Sequence, residues 1–414
     1  MKIKKLLEVT ELIKRGVTPK YVENDGITVI NQKCIRDNRI DFKLARQTSK
    51  DKKITEEKVL MEGDILVNST GTGTLGRTAQ IKEVNETMTV DTHVTIVRPK
   101  KDINHKFLGY FIRLNEPLIT SMGKGATNQI ELSASDLGNI DITLPSRKQQ
   151  DKIVDILSAY DALIENNLKR IELLEEAAES IYKEWFVNFR FPGYEKWEFV
   201  DGVPNIVRQK PIKELTSHTI GGGWGKENHE GNYIEEAYVI RGTDIENILN
   251  GDISNVPYRY HTQSNIENRL LQQGDLVLEV SNGQINNIGR CLLYTKEIGR
   301  LFDNNIICAS FCKMLRVNEF CSPNILYLHL KHIHSSGKIK YYINASAAGI
   351  NNFRFNDLLD EEKINILPKS LINEFENRVN PLLDMREKLN LQNSRLKEAR
   401  DILISKLIMG EIEV

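Results

Sequence analysis

Two stretches of the chain repeat their apolar residues at alternating intervals of four and three. After Pro145, Ile153, Leu157, Tyr160, Ile164, Asn167, Ile171, Leu174, Ala178, Ile181 and Trp185 keep that rhythm without a break. A narrow stripe sustained over more than four heptads predicts one long helix that packs on a partner helix. After Pro368 the rhythm returns in Phe375, Val379, Leu382, Arg386, Leu389, Asn393, Leu396, Arg400, Leu403 and Leu407. This second stripe is less apolar, but it is the natural partner of the first. A helix of about 36 residues is about 54 Å long at about 1.5 Å per residue, and two of them antiparallel make a stiff rod. Asn167 and Asn393 each put one amide in their stripe. Such a residue either fixes the register at some cost in stability or marks a slip that faces solvent.

Outside the helices the pattern is one of short strands, and it occurs twice. "GDILVNSTGTGTLGR" (Gly63–Arg77) has a counterpart in "GDLVLEVSNGQINNIGR" (Gly274–Arg290). Upstream, "GITVINQKCI" (Gly26–Ile35) answers to "EAYVIRGTDI" (Glu236–Ile245). Downstream, "KFLGYFI" (Lys106–Ile112) answers to "NILYLHL" (Asn324–Leu330), and "KGATNQIELSASDLGNIDITLP" (Lys124–Pro145) to "AAGINNFRFNDLLDEEKINILP" (Ala347–Pro368). Order and rough spacing are preserved, which is the mark of a duplication. The predicted fold is α+β, with two duplicated domains separated by two long antiparallel coiled-coil helices. The expected boundaries are 1–145 for the first domain, 146–187 for the central helix, 188–368 for the bridge and second domain, and 369–414 for the last helix. The bridge "WFVNFRFPGYEKW" (Trp185–Trp197) is aromatic enough to pack rather than swing.

The repeat disposes of one tempting motif. "GTGTLGRT" (Gly71–Thr78) is one residue away from a phosphate-cradling loop. Both copies carry Arg where that loop needs Lys, and the second copy has Cys291 at the hydroxyl position. The residues after Arg77 alternate as strands do, whereas a phosphate loop must run into a helix N-terminus. The segment is a strand connection.

Bulk properties narrow the class. The net charge is −1 and 40% of residues are hydrophobic, with no apolar run long enough for a membrane span, so the expected location is cytoplasmic. Charge is uneven: residues 1–58 hold 15 Lys/Arg against 9 Asp/Glu, a local basic excess suited to phosphates. Cys34, Cys291, Cys308, Cys312 and Cys321 lack a paired zinc spacing and read as buried free thiols. No metal site is expected.

Three further segments resemble the specificity subunits of type I restriction–modification systems. "LPSRKQQDKIVDIL" (Leu144–Leu157) is similar to that family's lead into its central helix, and "WFVNFRFPGYE" to the bridge after it. "RLKEARDILISKLIMGEIEV" (Arg395–Val414) is similar to its C-terminal motif, while "LPKSLINEF" departs from the pattern by lacking the Gln-rich signature. The resemblance spans essentially the whole chain. It implies two target-recognition domains, each reading one half of a bipartite target in double-stranded DNA. It also implies two methyltransferase (modification) subunits and restriction/translocase subunits as partners. No cofactor belongs to this chain on that reading, and S-adenosylmethionine, ATP and Mg are expected in the partner subunits.

Base edges are read by Asn, Gln, Arg and Lys, and phosphates by Lys, Arg, Ser and Thr. Polar loop residues are therefore the DNA-binding candidates. They are Lys20, Asn68, Thr72, Arg77, Lys124, Asn128 and Gln129 in the first domain. In the second they are Trp224, Lys226, Asn282, Gln284, Asn286, Arg290, Asn351, Asn352 and Arg354. The partner-binding candidates lie on the helices: Ile153, Leu157, Ile164, Asn167, Ile171, Leu174, Ile181, Trp185, Leu389, Asn393, Leu396, Leu403 and Leu407. Arg77 and Arg290, matched by the repeat, could equally tie a loop to a nearby carboxylate.

Enzymatic alternatives lack their chemistry. No Pro-Pro pair exists for an amino-methyltransferase motif, and Asp275 and Glu279 lack the lysine of a metal-dependent nuclease. No catalytic residue is therefore expected. A different alternative is a coiled-coil scaffold with two protein-binding domains and no DNA recognition, which the helices alone would suit and the duplicated polar loops do not require.

Overall fold

The computed structural model describes residues 2–125, 130–344 and 351–414. The chain divides into two compact units, Met1–Ala162 with Glu398–Val414, and Leu163–Lys397. The helices are thus not separate bodies; each unit holds one globular domain and its own share of both.

In the first unit, Thr10–Arg15, Val94–Pro99, Ile65–Asn68 and Thr78–Gln80 form an antiparallel sheet in that order. In the second, Thr216–Gly221, Cys312–Val317, Leu276–Glu279 and Cys291–Leu293 form the same sheet in the same order. A parallel pair accompanies each: Ile27–Ile30 with Met88–Val90, and Glu235–Ile240 with Asn305–Cys308. The first strand of each domain pairs with its last, Lys2–Lys5 with Asp141–Leu144 and Arg208–Pro211 with Lys363–Ile366. The duplication read from the sequence is therefore a duplication of topology.

The repeated Gly-Asp has a structural cause. Gly63 and Gly274 sit at φ of 88° and 95°, where a β-carbon is costly. The buried Asp64 then accepts a bidentate pair from Arg98, at 2.8 and 2.7 Å, and Asp275 accepts the same from Arg316, both at 2.7 Å. Each aspartate also caps its own turn, through the amide of Met61 or Gln272. This assigns Asp275 to architecture and removes it from any nuclease reading.

The first long helix is Arg147–Tyr182, followed by a wider turn at Lys183–Val187, and the second is Lys369–Ile408. Ile153 and Leu157 join Ile404 and Leu407 in the core of the first unit. Ala178, Tyr182, Trp185 and Phe186 join Phe375 and Val379 in that of the second. Phe189 and Phe191 of the bridge are buried there too, so the bridge packs. Tyr182, not Ile181, takes the inner position, and Ile181 lies at the margin of the core. Asn167 donates to Asn393 at 3.0 Å, both side chains being buried. The amides meet inside the seam.

The polar members of the second stripe are paired. Arg386, 1% exposed, meets Glu175 at 3.2 Å, Glu387 at 3.1 Å and the Tyr327 hydroxyl at 3.0 Å. In the first unit Arg400 meets Asp161 at 2.7 Å, and Tyr110 donates to the same carboxylate at 2.6 Å. Each domain thus sets one tyrosine hydroxyl against a buried arginine–acid pair on the helices. All five cysteines are buried free thiols, as expected.

Two other buried groups make stability depend on pH. His261 is fully buried with neither ring nitrogen bonded, and burial pushes its pKa down. Burial alone would raise the Glu362 carboxyl, but hydrogen bonds from His329, Lys338 and Tyr342 outweigh it and hold it at about 2. A base with a lowered pKa loses stability as pH falls below its unfolded value of about 6.5, and an acid with a lowered one as pH falls from about 4.5 towards 2. Thermal melts should therefore show two losses on acidification, the second on the order of 3 kcal/mol. Glu362→Gln should erase the second alone. Persistence of that step in the variant would refute the assignment.

Candidate nucleic-acid interface

The loops that follow the third strand in each sheet hold Thr72, Arg77, Asn282, Gln284, Asn286 and Arg290. In the first unit, Thr70 and Thr74 share the Gln32 side-chain oxygen Oε1 at 3.3 Å each, and the Thr70 hydroxyl lies 2.7 Å from His93 Nδ1. Gly71, Gly73 and Gly76 have φ between 80° and 94°, which lets the loop turn tightly and lifts Thr72 to its exposed tip. The loop then runs into Thr78–Gln80, a strand, which ends the phosphate-loop reading. Asn68 is fully buried and donates to the Gln32 carbonyl at 3.0 Å, so it is a support and not a reader. Arg77 is partly exposed, with its backbone bonded to Asn68 and Thr74 and its guanidinium without a hydrogen bond or ion pair among the described residues.

The second unit builds the same loop with other chemistry. Glu279, 2% exposed, accepts from Arg290 at 2.8 and 3.1 Å and from Asn282 at 2.7 Å. Arg290 also donates to the Gly242 carbonyl at 3.0 Å. A charge-assisted, largely buried pair of this kind fixes a loop. Gln284 and Asn286 are exposed beyond it. Asn351 is buried and donates to the carbonyls of Asn282 and Gly283, so it supports the loop, while its neighbour Asn352 is exposed. Arg354 pairs with Asp357 at 2.6 Å and lies over the exposed Tyr341 ring.

The remaining candidates lie on flanking segments. Lys20 is exposed, with its backbone bonded to Ser49 and Thr48. Lys226 is partly exposed, pairs with Glu230 at 2.9 Å and covers the Tyr233 ring. Trp224 is exposed with the Arg259 guanidinium stacked 4.6 Å from its centroid. Lys124 is held by Asp136 at 2.9 Å. Asn128 and Gln129 lie outside the described residues.

One pair of positions went unread in the sequence. Ser69 donates to the His93 carbonyl and Val280 to that of Phe311, which places His93 and the 61% exposed Phe311 at matching turns between the two sheets, beside the loops. Extending the repeat alignment through "VDTHV" and "CASFC" would have paired them.

The helix candidates need correction. Ile153, Leu157, Ile164, Asn167, Ile171, Trp185, Leu389, Asn393 and Leu407 are buried within the chain's own packing. Leu174, Ile181, Leu396 and Leu403 are half-buried at its edge. A side chain already used to join the helices cannot meet a partner without unfolding them. The outward apolar residues are instead Ile156 and Ile402 in the first unit and Leu163, Leu173 and Met385 in the second.

No group of three or more His, Cys, Asp or Glu is placed to hold a metal among the described residues. None of the helices formed by the described residues is long and apolar enough to cross a membrane.

With this geometry in view, comparison with known proteins is informative. The type I restriction modification DNA specificity domain matches residues 1–176. The MjaIX specificity subunit of Methanocaldococcus jannaschii, from a type I restriction enzyme, is 22% identical over 377 residues, 86% of this chain and 81% of its own. Over most of its length the chain is thus similar to a specificity subunit of a type I restriction enzyme. The putative MjaX specificity subunit of the same organism is 27% identical over 205 residues, about half of each chain. In structure, the type I S subunit from M. genitalium superposes with a TM-score of 0.53 at 15% identity, covering 98% of this chain and 96% of that one. The α+β architecture with its long helices is thus the fold of that S subunit.

Proposed function

We propose that this chain is a type I specificity subunit that reads a bipartite duplex target, one half-site per domain, and directs partner modification and restriction subunits to it. The observation that carries the reading is the repeated loop of residues 69–77 and 280–290. Both loops close on the same backbone hydrogen bonds, Asn68 with Gly76 and Arg77 and Glu279 with Gly289 and Arg290, but they differ in length and in exposed side chains, as two readers of different sequences require. Binding would join backbone contacts from Lys and Arg to base contacts from the exposed Thr72, Arg77, Gln284, Asn286 and Asn352. Methyl transfer and cleavage would be supplied by partners that carry S-adenosylmethionine, ATP and Mg, this chain contributing no catalytic group. Modification subunits would dock on the outward faces of the helices, most simply as two copies related by the repeat. Filter binding with duplex DNA, in the presence of the purified modification subunit, tests the reading. Specific retention of one duplex over scrambled competitors is the expected result. Retention of none, with the complex intact by light scattering, would return the chain to the scaffold alternative.

A further inference from the structure

The repeat aligns Arg77 with Arg290, Asn68 with Glu279 and Gln32 with Gly242. These three exchanges are linked. In the second unit a β-carbon at Gly242 would lie 2.0 Å from the Glu279 carboxyl carbon, so glycine is needed to admit that carboxylate. The carboxylate in turn binds Arg290 through two nitrogens, and Gly242 supplies a third contact through its carbonyl. Arg290 is internally satisfied.

In the first unit all three terms change together. Gln32 fills the space that glycine leaves open and spends its side-chain oxygen on Thr70 and Thr74. Asn68 replaces the carboxylate by a neutral amide, whose buried oxygen has no partner. Arg77 is left with its charge uncompensated by any described residue. A guanidinium that is partly withdrawn from water and unpaired is costly unless an acceptor arrives from outside.

We infer that Arg77 alone of the two binds an acceptor atom of DNA, on a guanine edge or a phosphate, while Arg290 is an internal strut. This rests on the proposed reading of a bipartite duplex. Arginine suits both acceptors, because its fork matches guanine O6 and N7 as well as two phosphate oxygens.

The test uses the complex of the full chain with its modification subunit, on a duplex carrying the target found by methylation sequencing with the unaltered protein. Failure of that unaltered complex to bind or methylate would sink the bipartite reading itself, before any variant is made. Given binding, Arg77→Ala should weaken it by about 5- to 150-fold without lowering the melting temperature. Gln32→Gly with Asn68→Glu, which grafts the second unit's carboxylate beneath Arg77, should reproduce that loss with Arg77 still present. Arg290→Ala should lower the melting temperature, because it strands the buried Glu279. If the contact is to guanine, the Arg77→Ala loss falls on one base pair of one half-site, and methylation relaxes there. If it is to phosphate, affinity falls alike on all sequences and the salt slope decreases by about 1. Either pattern supports the inference. Unchanged affinity in Arg77→Ala, or a loss of thermal stability matching that of Arg290→Ala, would overturn it.

Discussion

Replacing Arg386 by alanine is expected to destabilise the unit of residues 163–397 by about 3–5 kcal/mol, the cost of breaking a buried ion pair. Arg386 is the largest fully buried side chain of the molecule, and truncation would leave Glu387 buried without its cation and the Tyr327 hydroxyl without its partner. Burial alone would lower the pKa of Arg386, but Tyr327, Glu175 and Glu387 outweigh it and raise it, so the guanidinium stays charged. By contrast Lys213→Ala, which opens an exposed pair with Asp360, should cost well under about 1 kcal/mol. Urea unfolding of the two variants measures the difference. A loss below about 1 kcal/mol for Arg386→Ala would mean that the cluster is not what joins domain to helix in this unit.

The second expectation separates reading from spacing. Exchange of residues 1–145 for another recognition domain should change one half of the methylated target and leave the other half and the gap alone. Both closing strands, Lys2–Lys5 and Asp141–Leu144, lie inside the exchanged segment, so the graft brings its own closure. It must also bring a hydroxyl for Asp161, the role of Tyr110. Lengthening is a different operation. An insertion in one helix would slide Asn167 away from Asn393, so seven residues are needed in each, after Ile164 and after Leu396. Seven residues add about 10 Å of helix, and the gap should grow by about three base pairs with both half-sites unchanged. Methylation-site sequencing reads out both variants. Altered letters after the insertion, or an altered gap after the exchange, would break the division of labour.

What was legible in the sequence followed from periodicity and repetition. The 4–3 rhythm located both helices, and the paired Gly-Asp, strand and Gly-Arg segments gave the duplication before any contact was known. What stayed hidden was chemistry that depends on a distant residue. Nothing local tells Arg290, held by Glu279, from Arg77, in whose unit the position of Glu279 is taken by the buried amide of Asn68. Asn68 and Asn351 look like readers in a polar loop and turn out to be buried supports. Arg386 and Arg400 weaken the second stripe on paper, yet each finds its acid on the facing helix within its own unit. The helix candidates failed as surface residues because a seam can be spent only once.

The order of polar residues along the seam amounts to a short combination lock. The first helix presents Asp161, Asn167 and Glu175 in sequence, and the second presents Arg400, Asn393 and Arg386 at seven-residue intervals. Only one alignment matches acid to arginine at both ends and amide to amide between them. Slipping one helix by a heptad sets an arginine against an asparagine and strands a buried charge, whereas an all-leucine stripe would tolerate the slip with little loss. A second chain of this architecture with its polar residues in another order would meet a mismatched seam, so its helices would not settle against these.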